Sequence, residues 1–257
     1  MDITVSSPGS PGTSFTDNVK EKIVTIFDVL ANHPENFASV RDLGTELEQY
    51  GINWNYARNI LPFMQNCGIV DYQDVDVIIN DKFFTNIGYA YVDILKTIKI
   101  VKDEPESTER EEILAMLEKI QEEIYFQCLV IMMKNKECNY SHDFFDVLCF
   151  AKKYGSIDSM EYYLIQYERE QGAQNYLDVM GDTVKQYRDG SLTINVRTKT
   201  KKDESGAAKS VNSFPYVQGN FIKAGIFYKG NDSRYYIVNE RIAEVDNAIE
   251  EVGYVRV

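Results

Sequence analysis

Apolar residues recur at Phe15, Val19, Ile23, Ile26, Phe27 and Leu30, which line one face of an α-helix. Thr16 is placed to cap that helix, with Asp17 in its first turn. "NHPEN" breaks the pattern. Ser39 then opens "VRDLGTELEQYG", with Val40, Leu43 and Leu47 on one side and Gly51 as the stop. Asn53 starts a third helix, "WNYARNILPFMQNCG", in which Pro62 predicts a kink or a break. Gly68 ends it. "IVDYQDVDVIINDKFF" alternates as two short strands, and "TNIGYAYVDILKTIKIV" returns to helical spacing. Three helices followed by a hairpin is the order of a winged helix-turn-helix.

From Glu106 to Tyr187 the pattern is helical throughout. A long amphipathic helix starts with Thr108-x-x-Glu111 as a capping box. "HDFFDVLCFAKKYG" and "SMEYYLIQYEREQG" each end in glycine. The stripe Tyr162, Tyr163, Tyr167 has the spacing of a packed helix face, and a stacking platform is its other reading. Next, "SLTINVRTKTKKDESGAAKS" sets Leu192, Ile194 and Val196 against Thr193, Asn195 and Arg197. That is a strand with a polar face, entering a Gly/Ala/Ser loop.

"ILPFMQNCGIVDY" aligns with "VQGNFIKAGIFYK", and Gly68 then falls on Gly225. Two residues further of slack set "VIINDK" over "YIVNER", with Asn80 on Asn239. This internal repeat predicts a second winged-helix unit with Ser213 as helix N-cap and Pro215 in the first turn. The expected fold is mainly α (α+β), two winged helix-turn-helix units joined by a helical middle. The expected segments are a flexible arm over 1–14, a first winged unit over 15–102, helices over 103–187 and a second winged unit over 188–257.

The 257 residues carry a formal charge of −13. Acidic chains are repelled by phosphate, but the charge is uneven. Residues 185–223 hold eight basic and three acidic side chains, whereas residues 1–100 hold seven basic and thirteen acidic. The basic stretch abuts the second unit. It makes double-stranded DNA the expected partner, with phosphate contacts from Arg197, Lys199, Lys201, Lys202, Lys209 and Lys223. Base contacts would come from Asn212, Ser213, Tyr216, Gln218 and Asn220, and from Asn55 and Arg58 in the first unit. Those lysines also suit a solvated edge strand that resists aggregation.

The four cysteines, Cys67, Cys128, Cys138 and Cys149, form no CxxC pair, and His33 and His142 are the only histidines. Reduced buried thiols are expected, with no metal site and no cofactor. His142-Asp143 lacks an adjacent nucleophile. No apolar run approaches the roughly 20 residues of a membrane span, and the first residues lack a secretory pattern. A cytoplasmic, nucleoid-associated protein is expected.

Gly225-Ile226-Phe227 ahead of Tyr236-Ile237-Val238 has the look of the GIY-YIG nuclease signature. The repeat explains the same residues as a helix stop and a hairpin, and only about twenty residues follow, too few for the sizeable downstream domain in which that fold carries its catalytic Arg and Glu. "NYARNILPFMQNCGIVDY" and "SFPYVQGNFIKAGIFYKGNDSRYYIVN" instead resemble the DNA-recognition region of type II restriction endonucleases of the FokI and AlwI kind. That resemblance implies sequence-specific DNA recognition in a restriction or defence system, or a regulator of similar build. Such enzymes also carry Asp and Glu-x-Lys on adjacent strands. Here Asp178, Asp182 and Lys185 fall on helical sequence, so cleavage is left open. The alternative is an acidic tandem winged-helix assembly protein, docking on a partner ATPase, another chain or a second copy of itself.

Overall fold

Side-chain oxygens at helix starts decide where this chain begins to coil, because the first amides of a helix have no internal partner. The computed structural model describes residues 1–6, 10–72, 78, 80–172, 175–198, 201–202, 208–209 and 213–256. Among these, β1 (Asp2–Val5) leads into α1 (Asp17–Asn32), capped by Thr16, and α2 (Val40–Glu48), capped by Ser39. Next come α3 (Trp54–Asn66), capped by Asn53, and α4 (Asn86–Lys102), capped by Thr85. Pro62 does not break α3 into two elements. The helix runs on through it, and the ring sits on the exposed side.

Ser107, not Thr108, caps the long α5 (Thr108–Lys134) by accepting from the Arg110 amide. Then follow α6 (Ser141–Tyr154), α7 (Ser159–Glu170), α8 (Tyr176–Val179) and α9 (Gly181–Arg188). Asp158 and Glu161 form a reciprocal capping box on α7. The remaining elements are β2 (Asn195–Thr198), β3 (Lys201–Lys202), β4 (Ala208–Lys209), α10 (Phe214–Lys223), β5 (Phe227–Lys229), β6 (Tyr235–Ile237) and α11 (Ile242–Arg256). The fold is mainly helical. No described helix is long and apolar enough to cross a membrane.

Two compact units divide the chain. The first holds Pro11–Cys138 and Gly219–Ile226, and the second holds Met1–Ser10, Asn139–Gln218 and Phe227–Val257. The boundaries expected from sequence therefore change. The long helix α5 groups with α1–α4, whereas α6 and α7 group with the β5–β6 hairpin. The proposed arm over 1–14 contains a strand: β1 pairs in parallel with β2, Ile3 beside Val196 and Thr4 beside Arg197. Ile3 and Val5 are buried, which anchors the segment.

The repeat extends further than its sequence suggests. In the first unit, Phe37 lies between α1 and α2 and bridges Ile78, while Val70 after α3 bridges Phe84. In the second unit, Ile157 lies between α6 and α7 and bridges Tyr235, and β5 pairs antiparallel with β6. Both copies therefore run helix, bridge residue, helix, later a third helix, then a return pairing. In both, Asn starts a 3₁₀ turn, Asn80–Lys82 and Asn239–Arg241. They differ in that the Val70 partner follows its 3₁₀ turn, whereas β6 precedes its own.

The third helices end alike. Gly68 and Gly225 adopt φ +70° and +65°, and the next amide reaches back across the turn, Ile69 to Met64 and Ile226 to Phe221, each at 2.9 Å. A left-handed turn of this kind favours glycine. The core of the first unit is aromatic. Phe15 stacks on Tyr125 with centroids 4.5 Å apart and meets Phe63 edge-on at 5.1 Å. None of the four cysteines forms a disulfide, and burial pushes the Cys128 thiol up to about 12.

In the second unit, two ion networks lie under the surface. Arg169 of α7 spans Asp143 and Asp146 of α6, at 2.6 Å each, and the Tyr176 hydroxyl donates to Asp146 at 2.5 Å. Glu161, fully buried, takes Arg188 Nε at 2.7 Å and Arg234 Nη2 on its other oxygen. Arg234 also holds Asp158 at 2.7 Å and Ser156 Oγ at 2.8 Å. Removing Arg234 leaves half of a buried carboxylate without its charge partner. Arg234→Ala is expected to destabilise by about 3 kcal/mol, and Glu161→Gln in that background to recover part of the loss, read by urea unfolding.

Burial, against the pull of Arg169, raises the Asp143 carboxyl from 3.8 to about 6, and it raises Asp146 and Glu161 in the same direction. The folded chain thus holds the Asp143 proton more tightly than the unfolded chain. This contribution is complete below the unfolded value and is lost as pH rises through the folded one. Unfolding free energy is expected to fall between about pH 4 and pH 6, and Asp143→Asn to flatten the slope, measured as urea midpoints across that range.

Candidate nucleic-acid interface

α3 owes its position to a contact with α2. A Cβ placed on Gly44 would collide with the Trp54 ring, so only glycine lets that indole lie against α2. The Trp54 amide donates to Glu48 Oε1 at 3.3 Å, and Gly51 turns the chain between the helices at φ +78°. With Ala57, Ile60, Leu61, Phe63 and Met64 buried, the opposite face of α3 carries Asn55, Arg58 and Asn59 into solvent. Asn59 Nδ2 donates to the Asn55 carbonyl at 3.1 Å. Lys22 of α1 stands 3.5 Å over the Tyr56 ring, adding a cation beside this face.

The second third-helix, α10, is less open. Ser213 is fully buried, its hydroxyl 2.7 Å from the Tyr162 hydroxyl. Asn220 is fully buried as well; it accepts from the Tyr125 hydroxyl and donates to the Thr13 carbonyl at 3.2 Å. Neither can reach a base edge, which corrects the expectation for both. These positions face inward because α10 must bury Phe214, Val217, Phe221 and Ala224, and Ser213 and Asn220 sit among them. Tyr216 is exposed, and Gln218 and Lys223 are half-exposed.

Among the expected phosphate contacts, Arg197 is exposed on β2, while Ile194 behind it is buried. Lys201 and Lys202 form β3, which pairs with β4 and its Lys209. Lys199 and Asn212 lie outside the described residues. Arg188, counted in the basic stretch, is committed to Glu161. Lys223 lies near enough to Lys20 to help lower that ammonium, after burial as the main cause.

Sequence reasoning missed the Gly44–Trp54 contact, although a glycine inside a helical pattern was a signal for close approach. The hairpin expected from sequence is present, but its surface was passed over: Tyr228 stacks on Tyr236 at 5.5 Å and Lys229 is exposed. No group of three or more His, Cys, Asp or Glu among the described residues could hold a metal ion. Comparison with known proteins finds no matching family model, no matching curated protein and no matching solved structure.

Gly44→Val is expected to push Trp54 off α2 and to cost about 2 kcal/mol, as overpacking does. Trp54 is the single tryptophan. A shift of its fluorescence maximum towards the solvent-exposed wavelength checks the displacement, and the urea midpoint checks the cost.

Proposed function

We propose that this protein binds double-stranded DNA through its two repeated units, each used as a winged helix-turn-helix. The single observation behind this reading is α3. A helix docked across α2 by Trp54 offers Asn55, Arg58 and Asn59 on one exposed face, and a return pairing follows it. Arg58 suits the O6 and N7 acceptors of guanine, and Asn55 and Asn59 suit the N6 and N7 edge of adenine. Lys22 is placed for phosphate, as Arg197 and Lys229 are in the second unit.

The buried state of Ser213 and Asn220 moves base reading from α10 to α3. α10 then contributes Tyr216 and Gln218 at most. The net charge of −13 does not forbid this. Asp143, Asp146, Asp158 and Glu161 are matched internally by arginines, and a run of six exposed acids lies between Asp103 and Glu112, at the α4–α5 end. The kinship to restriction-endonuclease recognition regions belongs to the same proposal, and so does a role as a recognition subunit or regulator.

Selection from random duplexes with the full chain, followed by gel shift, tests the reading. An enriched motif with salt-sensitive binding is expected. Arg58→Glu should weaken the selected duplex by about tenfold or more, the scale of one bidentate base contact. Arg197→Glu should weaken all duplexes alike. No enriched motif, or unchanged affinity in Arg58→Glu, would refute the assignment.

A further inference from the structure

The C-terminal half of α5 is buried on nearly every side, Phe126, Val130 and Met133 being covered as well as Tyr125, Cys128, Leu129 and Met132, whereas the N-terminal half buries only Leu114 and Gln121. A second apolar row runs beside them in the N-terminal half. Ile113, Met116 and Ile120 are 38%, 66% and 41% exposed, and Leu117 and Ile124 are half-exposed. The spacing is i, i+3, i+4, i+7, i+11, one continuous stripe of about 17 Å along the helix. Isolated exposed apolar residues are ordinary on a protein surface, but a row at helical period is the seam of a helix pair.

The charges bordering the stripe identify what would cover it. Glu109 and Glu112 are exposed and Glu123 half-exposed beside it, against Lys119 and Arg110, the latter already held by Glu111 and by the Val101 and Lys102 carbonyls; Asp103, Glu104 and Glu106 crowd the adjoining turn. A second copy of this chain is a poor occupant. An antiparallel pairing centred on the stripe sets Glu112 against Glu123, and a parallel one sets Glu112 against itself. An anionic membrane surface meets the same repulsion. We infer that this stripe docks an amphipathic helix of another protein, apolar at i, i+3/i+4 and i+7 and flanked by Lys or Arg. The apolar row supplies affinity and the glutamates select the basic partner.

This inference does not rest on DNA binding. The probe is a labelled 18-residue synthetic helix with leucines on one face and lysines on its flanks, titrated into the full chain and read by fluorescence anisotropy. Saturable binding is expected. Ile113→Ser with Ile120→Ser, which keeps the charge, should weaken it by about tenfold, and Met116→Gln, at the most exposed position, should weaken it severalfold. A glutamate-flanked peptide should bind at least about tenfold less tightly, and Arg58→Glu should bind the lysine peptide like wild type. Three results would overturn the inference: no binding of the lysine peptide, equal binding by both serine and glutamine variants, or a sedimenting dimer that Met116→Gln dissolves. The last would assign the stripe to a second copy.

Discussion

A carboxylate with no solvent around it must be neutralised by something, and in the second unit that carboxylate is Glu161. It sits in the first turn of α7, accepts from the Asp158 amide at 3.1 Å, and holds Arg188 of α9 and Arg234 of the hairpin turn. One buried charge thereby joins three segments that are distant in sequence. It also removes two arginines from the pool that could meet phosphate. Arg188 is the one of the two that belongs to the basic stretch 185–223, so one of its eight positive charges is committed to the fold.

The same economy operates around Asp143 and Asp146, which share Arg169. Three acids are held in a setting that raises their proton affinity. Buried pairs of this sort cost desolvation that their attraction only partly returns. What they provide here is a defined geometry between α6, α7 and the short α8. In the first unit the corresponding order comes from rings instead, with Phe15, Phe63, Tyr91 and Tyr125 in contact and Asn220 bonded to the Tyr125 hydroxyl.

Two units with the same order of elements and different surfaces suggest divided labour. The α3 face is polar and carries Arg58, Asn55 and Asn59. The corresponding α10 keeps its best polar residues inside. The α5 stripe is apolar and bordered by acid. The polar helix face and the acid-rimmed apolar seam lie in one unit, the proposed nucleic-acid contact falls on the one and the inferred helix contact on the other, and the global charge describes neither surface.

Local structure was largely written in the sequence. Thr16, Ser39, Asn53 and Asp158 supply acceptors at helix starts, and Gly51, Gly68, Gly155 and Gly225 supply left-handed turns; both effects act over a few residues, so a single chain displays them. The repeat was legible for the same reason, through its glycine stop and the match of Asn80 with Asn239, although the 3₁₀ turn that each asparagine opens was not. That α3 is unbroken at Pro62 was not legible, because the residue's place on the exposed side, within a helix otherwise held by packing, was not visible. Which residues reach a partner was decided only by tertiary structure. Ser213 and Asn220 look like base readers until Tyr162 and Tyr125 claim them, and Arg188 looks free until Glu161 does. The segment 1–14 looks loose until β1 finds β2, and α6 and α7 look like a middle region until Ile157 meets Tyr235. Each of these depends on a contact between residues far apart along the chain, and such contacts leave no periodicity to read.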